Sequence, residues 1–468
     1  MAGNERLAAL FREAGLLRSD GSGRKAIARA VSAHAGRTLT HTYVGRWLGG
    51  MVPREIGVQR AIATAVGERL GRRVGLDECG FGVPERTAAD LGLSYPGNVG
   101  ASIGVVTRLW QADLDNVQAL LAVPANVAAW NEASLSWLVN ATEKVAAGRR
   151  GGARVGAVDI EGIRSTTHMF DQLDGRHGGG HARRALVEFL RTHLAVLLRG
   201  TYSEDTGREL FRVAAQSTLL AAWMSYDAGL HGIAQRYFIQ ALKLAEATGD
   251  RLLAAGVLDA MSHQANFVGN HREAANLARA ARMGTASVGS ARSAAHFYAM
   301  EARALARAGD AAGCDQAMAA AVRQFEHCRP DDDPADWFGY FDEAELAAEL
   351  GHCNRDLGRA IDATTYASQA LGANGEYVRS DFFVTMVLAD SYLAQGEVEQ
   401  ACQTALKAVQ IGEGLKSARC AAYVTEFRER LDMVGLTPSV RSFRDQVSSA
   451  RLWLPDDARK ESSRVGRR

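Results

Sequence analysis

Proline is scarce in this chain of 468 residues, which contains only eight, and none of them lies between Pro124 and Pro330. Proline removes a backbone N–H and clashes with the preceding helical turn. A long proline-free stretch that is rich in Ala, Leu, Arg and Glu therefore favours helices. We predict an all-α protein.

Long apolar runs and paired cysteine motifs are also missing. No run of 18 or more apolar residues occurs, which argues against a transmembrane helix. The N-terminal segment contains Glu5 and Glu13 and lacks the unbroken apolar core of a signal peptide. The six cysteines are scattered without a C-x2-C pair, as expected for reduced and mostly buried thiols. We expect a cytoplasmic protein with no membrane partner.

The net charge of +1 hides an uneven distribution of charged residues. Residues 1–80 contain 13 Lys and Arg against 7 Asp and Glu, whereas the remainder contains 41 against 46. A basic segment in front of a mildly acidic body is typical of a head that binds nucleic acid. We place this head at residues 1–80.

Two short helices joined by a turn are predicted inside this head. Ile27 and Val31 give the apolar stripe of a first helix over 24–35. Thr40 is expected to cap a second helix, HTYVGRWLGG, on which Val44 and Trp47 face the core. The opposite face of this second helix is polar and basic. Two helices arranged in this way follow the helix-turn-helix plan.

The string T-x-x-Y-V-x-R-W-L-x-G-x-x-P-R, which starts at Thr40, resembles the Cro/phage-repressor type of helix-turn-helix found in actinobacterial regulators. The resemblance implies that the 40–49 helix enters the major groove of DNA, where Arg46 would bond guanine. The candidate DNA-contacting residues are Lys25, Arg37, Thr38, Thr40, His41, Thr42, Tyr43, Arg46 and Arg54. The alternative is a helical docking module with an ordinary solvated face.

Residues 81–181 are expected to form a linker and a helical connector. Phe81 to Gly104 is rich in glycine and is predicted to be a loop, with helix resuming at Val105. The string FDQLDGRHGGGHARR at 170–184 has three interpretations: a metal cluster of His177, His181, Asp171 and Asp174, a phosphate-binding loop, or a loop between two helices. We favour the last, and we predict no metal and no cofactor.

A repeat dominates residues 182–436. Gly229, Gly269, Gly309, Gly358 and Gly396 are each followed by a small residue five and twelve positions later. A glycine allows the turn between two helices, and small residues on one face allow close helix packing. Repeating helix pairs of this kind predict a helical solenoid. The W-x2-Y, A-x2-Y-F and A-L-x-L-A strings of the first unit resemble tetratricopeptide repeats, which implies a right-handed superhelix with a concave groove.

Polar residues on the first helix of each pair are the expected groove contacts. The helices are placed at 208–227, 251–267, 291–307, 338–356 and 378–394. The candidate groove residues are Gln216, Tyr226, His263, Asn266, Tyr298 and Asn354, with His296, Glu345, Asp390 and Tyr392 as further candidates. The alternative is packing between repeats. The acidic insertion at 328–341 is either a lip over the groove or the start of a helix. We predict that residues 437–468 are a C-terminal segment with a disordered basic tail.

The string F-x2-L-D-x-R-x-G-G-G that starts at Phe170, followed by the repeats, looks like Streptomyces-type regulators related to the negative regulators of differentiation. The resemblance implies a DNA-binding transcriptional regulator of development or secondary metabolism. Its expected partners are double-stranded DNA, a second copy of the chain, and a small-molecule or peptide signal. The alternative is a protein–protein adaptor. No nucleophile elbow, H-E-x-x-H or P-loop is present, so we do not expect an enzyme.

Overall fold

A computed structural model gives the fold of the chain. It describes residues 4–53, 55–72, 74–76, 78–81, 90–121, 123–139, 153–288, 290–329, 340–372 and 378–454. Within these ranges every regular element is a helix, apart from an isolated bridge between Arg154 and Thr201, so the all-α prediction is confirmed. No described helix is both long and apolar enough to cross a lipid bilayer. The chain divides into two compact units, Met1–Asp90 and Leu91–Arg468.

The described part of the first unit is built from α1 (Glu5–Glu13), α2 (Arg24–Ala35), α3 (His41–Leu48) and α4 (Ile56–Leu70). Gly36 ends α2 in a left-handed conformation with φ of 64°, which glycine adopts without strain. Ser32 Oγ accepts a hydrogen bond of 2.8 Å from the amide of Leu39 and thereby holds the turn that leads to α3. Val44 and Trp47 are buried in the core of this unit, as predicted.

The second unit begins with connector helices: α5 (Val99–Leu114), α6 (Gln118–Leu121), α7 (Val127–Val139), α8 (Ala157–His177), α9 (Arg183–Phe189), a π-helical turn (Leu190–Leu194) and α10 (Ala195–Leu197). Helix α5 starts earlier than the predicted Val105, because the side chain of Asn98 accepts a hydrogen bond from the amide of Ala101 and caps it. Asp113 of α5 accepts a hydrogen bond of 2.6 Å from the hydroxyl of Tyr237. The connector therefore packs directly on the repeats that follow it.

The repeats comprise α11 (Glu204–Asp227), α12 (His231–Ala247), α13 (Arg251–Phe267), α14 (His271–Gly284), α15 (Ala291–Arg307), α16 (Ala311–Glu326), α17 (Glu343–Asp356), α18 (Ala360–Ala370), α19 (Val378–Ala394), α20 (Val398–Gly412), α21 (Ala418–Asp432) and α22 (Pro438–Val447). Helices α11 to α20 pack as successive pairs, while α21 packs on α19 and α22 packs on α20. We call this assembly the repeat array. The predicted succession of helix pairs is confirmed.

The glycine and small-residue pattern explains this packing. The five repeat glycines lie between the helices of each pair with φ from 75° to 87°, a range that favours glycine. The small residues five and twelve positions later are all buried: Ala234, Ala274, Cys314, Ala363, Ala401, Ala241, Ala281, Ala321, Ala370 and Ala408. Small side chains at these positions let the neighbouring helix approach closely.

Polar caps set where the first helix of most pairs begins. In each case the side chain accepts a hydrogen bond from the amide three residues later, which satisfies a free N–H at the helix start: Ser203, Asp250, Ser290, Asp342 and Ser417. The Asp342 cap explains why α17 begins at Glu343 rather than at the predicted residue 338. The predicted acidic insertion at 328–341 lies largely in residues 330–339, which are outside the described residues. The predicted tail at 455–468 is outside them as well.

The glycine loop between α8 and α9 joins the two ends of the repeat array. The amide of Lys416 donates a hydrogen bond of 2.7 Å to the carbonyl of His177, and the amide of Gly180 donates one of 3.0 Å to the carbonyl of Lys416. The amide of Gly179 donates to Asp227 Oδ2 over 2.8 Å. These contacts place the loop against both the end of α11 and the start of α21.

The absence of a side chain at Gly179 makes this approach possible. A Cβ built at Gly179 would lie 2.5 Å from the carbonyl oxygen of Met224, far inside contact distance. Because the amides of Gly179 and Gly180 already have protein acceptors, the phosphate-binding interpretation does not fit this loop. No group of three or more His, Cys, Asp or Glu side chains in the described ranges is placed to hold a metal ion. The loop connects two helices and closes the array.

Candidate nucleic-acid interface and ligand cavity

The outward face of α3 carries polar and basic side chains. His41, Thr42, Tyr43 and Arg46 are exposed, and Tyr43 has 42% of its surface accessible. The opposite face is anchored by Val44 and Trp47, which are buried. The helix is therefore fixed to the first unit by its apolar side, and its polar side is presented to solvent.

The stretch of sequence that contains α3 has no acidic residue. No Asp or Glu occurs between Asp20 and Glu55, whereas six Lys and Arg occur in the same stretch. Arg24 of α2 is one of them, and its Nη1 would lie 3.4 Å from a Cβ built at Gly45 of α3. Arg24 thus adds a cation beside α3. Arg24 was not among the predicted DNA contacts, although the lack of Asp and Glu around it in the sequence would have indicated it.

The other predicted DNA contacts that the structure describes are exposed: Lys25, Arg37, Thr38 and Thr40. Arg37 Nη2 lies 3.0 Å from Glu55 Oε1, and both side chains are about half exposed or more. An exposed ion pair of this kind contributes about 0–1 kcal/mol, so a phosphate can compete for the arginine. Thr40 precedes α3 as predicted, but its hydroxyl makes no capping hydrogen bond, which corrects that detail. Arg54 lies outside the described residues.

A cavity of about 300 Å³ lies among the first helices of the pairs in the repeat array. We call it the array cavity. Its walls come from α8, α11, α13, α15, α17, α19 and α21. Five carboxylates line it: Asp171, Asp174, Asp259, Glu345 and Glu349. Three guanidinium groups line it as well: Arg303, Arg379 and Arg419.

A narrow passage of about 30 Å³ shares several residues with the array cavity and is also lined by Arg307 and Arg355. A further cavity of about 480 Å³ shares these two arginines and is bounded by Arg430 and Asp390 as well. Neighbouring cavities of the repeat array therefore share lining residues. The array cavity is the part with the greatest excess of carboxylates.

The predicted groove residues divide into two groups. His263 lines the array cavity and the narrow passage, and Asn266 lines the passage. Those outside the cavity linings are Gln216, Tyr226, Tyr298 and Asn354. Of the further candidates, His296 and Glu345 line the array cavity. Asp390 lines the cavity of about 480 Å³, and Tyr392 lines none of these three cavities.

Tyr226 and Asn354 must be corrected from groove contacts to packing residues, whereas Tyr298 is partly exposed and stays a prediction. Tyr226 is fully buried, and its hydroxyl lies 2.9 Å from His263 Nδ1. Asn354 is buried, and its Nδ2 donates a hydrogen bond of 2.9 Å to the carbonyl of Leu350 in its own helix. Tyr298 lies under the guanidinium of Arg282, whose Cζ is 4.4 Å from the ring centroid. The positions of Tyr226 and Asn354 within their helices direct both side chains into helix packing.

The three cavity arginines are already neutralised by carboxylates. Arg303 forms an ion pair with Glu349. Arg379 donates a hydrogen bond of 2.9 Å to Asp174 and lies 3.3 Å from Asp227. Buried guanidinium groups need such partners, because an uncompensated buried charge is strongly unfavourable.

Arg419 is held by aromatic rings as well as by charge. Its guanidinium lies 4.8 Å from the ring centroid of Tyr226 and 4.5 Å from that of Phe383, and its Nη1 lies 3.9 Å from Asp227. Cation–π contacts of this length stabilise a desolvated guanidinium. Arg419 is therefore part of the wall of the array cavity.

The histidines of the array cavity add no positive charge. Burial lowers the pKa of His296 to about 3. Burial, followed by the nearby arginines, lowers the pKa of His263 and of His352 well below the ordinary value. All three imidazoles are therefore neutral near pH 7.

Most of these buried charged residues were not predicted from the sequence. Charged residues on an amphipathic helix are usually solvated, so the cavity arginines gave no signal by themselves. A signal was present in spacing: Asp259 and His263 are four residues apart, as are Glu345 and Glu349. Residues four apart share one face of a helix, and these lie on the first helices of their pairs.

A family model matches most of the first unit. Residues 7–82 match the family model of the SP15 N-terminal domain, which spans α1 from Leu7 through the end of α4. No curated protein matches the chain closely enough to serve as a relative. The match lies within the first unit, so the role of the repeat array is argued from its own geometry.

Proposed function

We propose that the protein is a sequence-specific DNA-binding transcriptional regulator with a helix-turn-helix head. The observation that carries this proposal is the exposed face of α3, which presents Arg46 and Thr42 within a stretch that has six cations and no acid. Cations attract the phosphate backbone, and an arginine in the major groove bonds guanine O6 and N7. By its sequence resemblance, the regulator controls development or secondary metabolism.

The repeat array in this proposal is a right-handed tetratricopeptide-like solenoid that binds a signal. The array cavity supports this role, because it holds about 300 Å³ among buried polar groups. Ligand pockets of proteins begin at about this size. A signal that binds one arrangement of the array more tightly than another shifts the population between them.

Dimerisation is part of the same proposal. A single small head that reads one half-site binds DNA weakly, so regulators of this kind act as dimers with two half-sites about 34 Å apart. The repeat array would supply the dimer contact. Analytical ultracentrifugation of the full chain is expected to give twice the mass of 50.2 kDa.

DNA selection from a random pool tests the proposal. The full chain is expected to enrich a sequence made of two related half-sites. Arg46→Ala should weaken binding to that sequence by about 1–3 kcal/mol, and Arg46→Lys should recover only the part that depends on charge, because lysine lacks the planar fork. Fluorescence anisotropy with the selected duplex and a scrambled duplex measures both effects. Arg272→Ala, which removes one exposed arginine of the repeat array, is the control.

Two outcomes would contradict the proposal. One is that no sequence is enriched. The other is that Arg46→Ala binds the selected duplex as tightly as the unaltered protein. A stoichiometric protein partner recovered at physiological salt without DNA would instead favour the adaptor interpretation.

A further inference from the structure

Two carboxylates of the array cavity have no cationic partner. Among the residues that the structure describes, no lysine or arginine lies within ion-pair distance of Asp259 or Glu345. The contact that Asp259 does make is to His296, whose Nε2 lies 2.9 Å from Asp259 Oδ2. Since that imidazole is neutral, it does not compensate the carboxylate charge.

The two carboxylates line the array cavity together with Glu349 and Tyr340. Burial of the Tyr340 hydroxyl raises its pKa well above the ordinary value, and the charges of Asp259, Glu345 and Glu349 raise it further. All three carboxylates thus act on the Tyr340 hydroxyl through their charge, while only Glu349 is paired with an arginine. Burial likewise raises the pKa of Asp259 well above its usual range. This end of the cavity therefore has more carboxyl groups than guanidinium groups, and a bound cation would favour their ionised form.

Unused hydrogen-bond acceptors point into the same space. Asp259 Oδ1 has no hydrogen-bond partner in the described part of the chain, although the residue is only 5% exposed. His352 is also 5% exposed, and its Nδ1 pairs with the carbonyl of Ala348 at 2.9 Å, so its Nε2 is an acceptor that no described group uses. Buried polar atoms normally have partners, and the missing partner of both atoms is a donor.

Three unused donors lie on arginines of the same cavity, and Arg379 Nη1 is one of them. The Nε atoms of Arg303 and Arg419 have no hydrogen-bond partner among the described residues, although the charges of both groups are paired. A neutral acceptor, such as a hydroxyl or a carbonyl oxygen, would satisfy them without adding charge. A ligand that suits the cavity therefore combines a cationic donor with a neutral oxygen.

Aromatic walls complete the cavity. Trp223, Phe383 and Tyr423 line it beside the carboxylates. Aromatic faces attract ammonium groups and cover the carbon atoms that carry them. Asp171 and Tyr340 line the same cavity, and both residues keep part of their surface accessible to solvent.

We infer that the array cavity binds an organic cation, a molecule with a protonated amine held by Asp259 and Glu345 and with a neutral oxygen that faces the cavity arginines. This organic cation would be the signal in the proposed function, and its role as a signal rests on that proposal. Binding itself requires no DNA, and the two proposals therefore fail independently.

A matched pair of small molecules tests the inference with the full chain. The probes are 2-amino-1-phenylethanol and 1-phenyl-1,2-ethanediol, which differ in one group, an ammonium against a hydroxyl. Isothermal titration calorimetry at pH 8 without DNA is expected to show the amine binding at least about tenfold more tightly than the diol, because a charge-assisted hydrogen bond is the stronger one.

Three variants locate the site. Asp259→Asn and Glu345→Gln keep the size of the side chain and remove its charge, and each should weaken amine binding about tenfold while diol binding stays unchanged. Glu343→Gln is the control, since Glu343 is an exposed residue of the same helix as Glu345. Circular dichroism of each variant checks that the fold is kept, and either variant alone suffices for the test.

Three results would overturn the inference. The first is equal binding of amine and diol, and the second is the absence of binding heat for both. The third is amine binding that neither Asp259→Asn nor Glu345→Gln weakens. If the amine binds as expected but the chain enriches no DNA sequence, the cation site stands and the regulator proposal fails.

Discussion

Ser417 Oγ donates a hydrogen bond of 2.8 Å to Asp227 Oδ1, although the two residues are 190 positions apart in the chain. Ser417 caps α21, and Asp227 is the last residue of α11. The end of α11, the first helix of the repeat array, therefore contacts the start of α21. The glycine loop at 178–180 covers this junction, and the array cavity lies inside the closed array.

Asp227 is expected to be the most sensitive residue of this junction. It is 1% exposed and lies near the guanidinium groups of Arg379 and Arg419. Asp227→Asn removes the charge that both arginines share, and loss of one partner of a buried ion pair costs about 3–5 kcal/mol. Urea denaturation followed by circular dichroism measures the loss. Asp205→Asn on the same helix is the control, because the Asp205 side chain is 86% exposed, and it should change the stability by less than about 0.5 kcal/mol.

The close approach of the glycine loop predicts a second effect. Gly179→Ala places a Cβ 2.5 Å from a backbone oxygen of α11, which cannot move as a flexible side chain would. We expect a loss of about 1–3 kcal/mol in the free energy of unfolding, as for overpacking elsewhere. Gly175→Ala lies four residues away in α8 with nothing within 4 Å of the new Cβ, so it should stabilise the helix by roughly 0.5–1 kcal/mol. Equal stability of the two variants would contradict the closed junction.

The repeat itself was predictable from local pattern. Each helix pair needs a glycine between its two helices and small residues after it. The pattern therefore recurs in every short stretch of sequence that forms a pair. Ala234 and Ala241, for example, are seven residues apart and both fully buried. The buried face of α3 was predictable for the same reason, since Val44 and Trp47 follow the helical period.

The closure of the array and its cavity were not predictable in this way. The contacts of Lys416 with the glycine loop join segments more than 200 residues apart, and no period in the sequence records such a contact. The charge of Arg303 gave no signal either, because a charged residue on a helix is normally solvated. Tyr226 was assigned to the groove from its helix face, but the curvature that buries it depends on the whole array.

The proposed DNA interface predicts a change in salt dependence. Lys25 is an exposed residue at the start of α2, where we expect a phosphate contact. Lys25→Ala should weaken binding to selected and scrambled duplexes by the same factor, and it should reduce the slope of log K against log salt by about 1. Anisotropy titrations at several salt concentrations measure the slope. Arg272→Ala in the repeat array should leave the slope unchanged, and a slope that is equally steep in Lys25→Ala would place that lysine away from DNA.

Glu345 predicts how stability depends on pH. Burial first, and then the charges of Glu349 and Asp342, raise the pKa of Glu345 from 4.5 to about 8, with Arg303 acting in the opposite direction. Between these two values the folded protein holds a proton that the unfolded chain releases, so this group's stabilising contribution is fully present below pH 4.5 and is lost as the pH rises through about 8. Glu345→Gln removes the titration, and its free energy of unfolding relative to the unaltered protein should increase by about 1–3 kcal/mol between pH 5 and pH 8. The buried histidines act in the opposite sense below their ordinary pKa, but they are present in both proteins and cancel in the difference. Urea denaturation at each pH, with Glu343→Gln as the exposed control, measures this difference. A difference that stays constant across the range would mean that Glu345 is ionised in the folded protein.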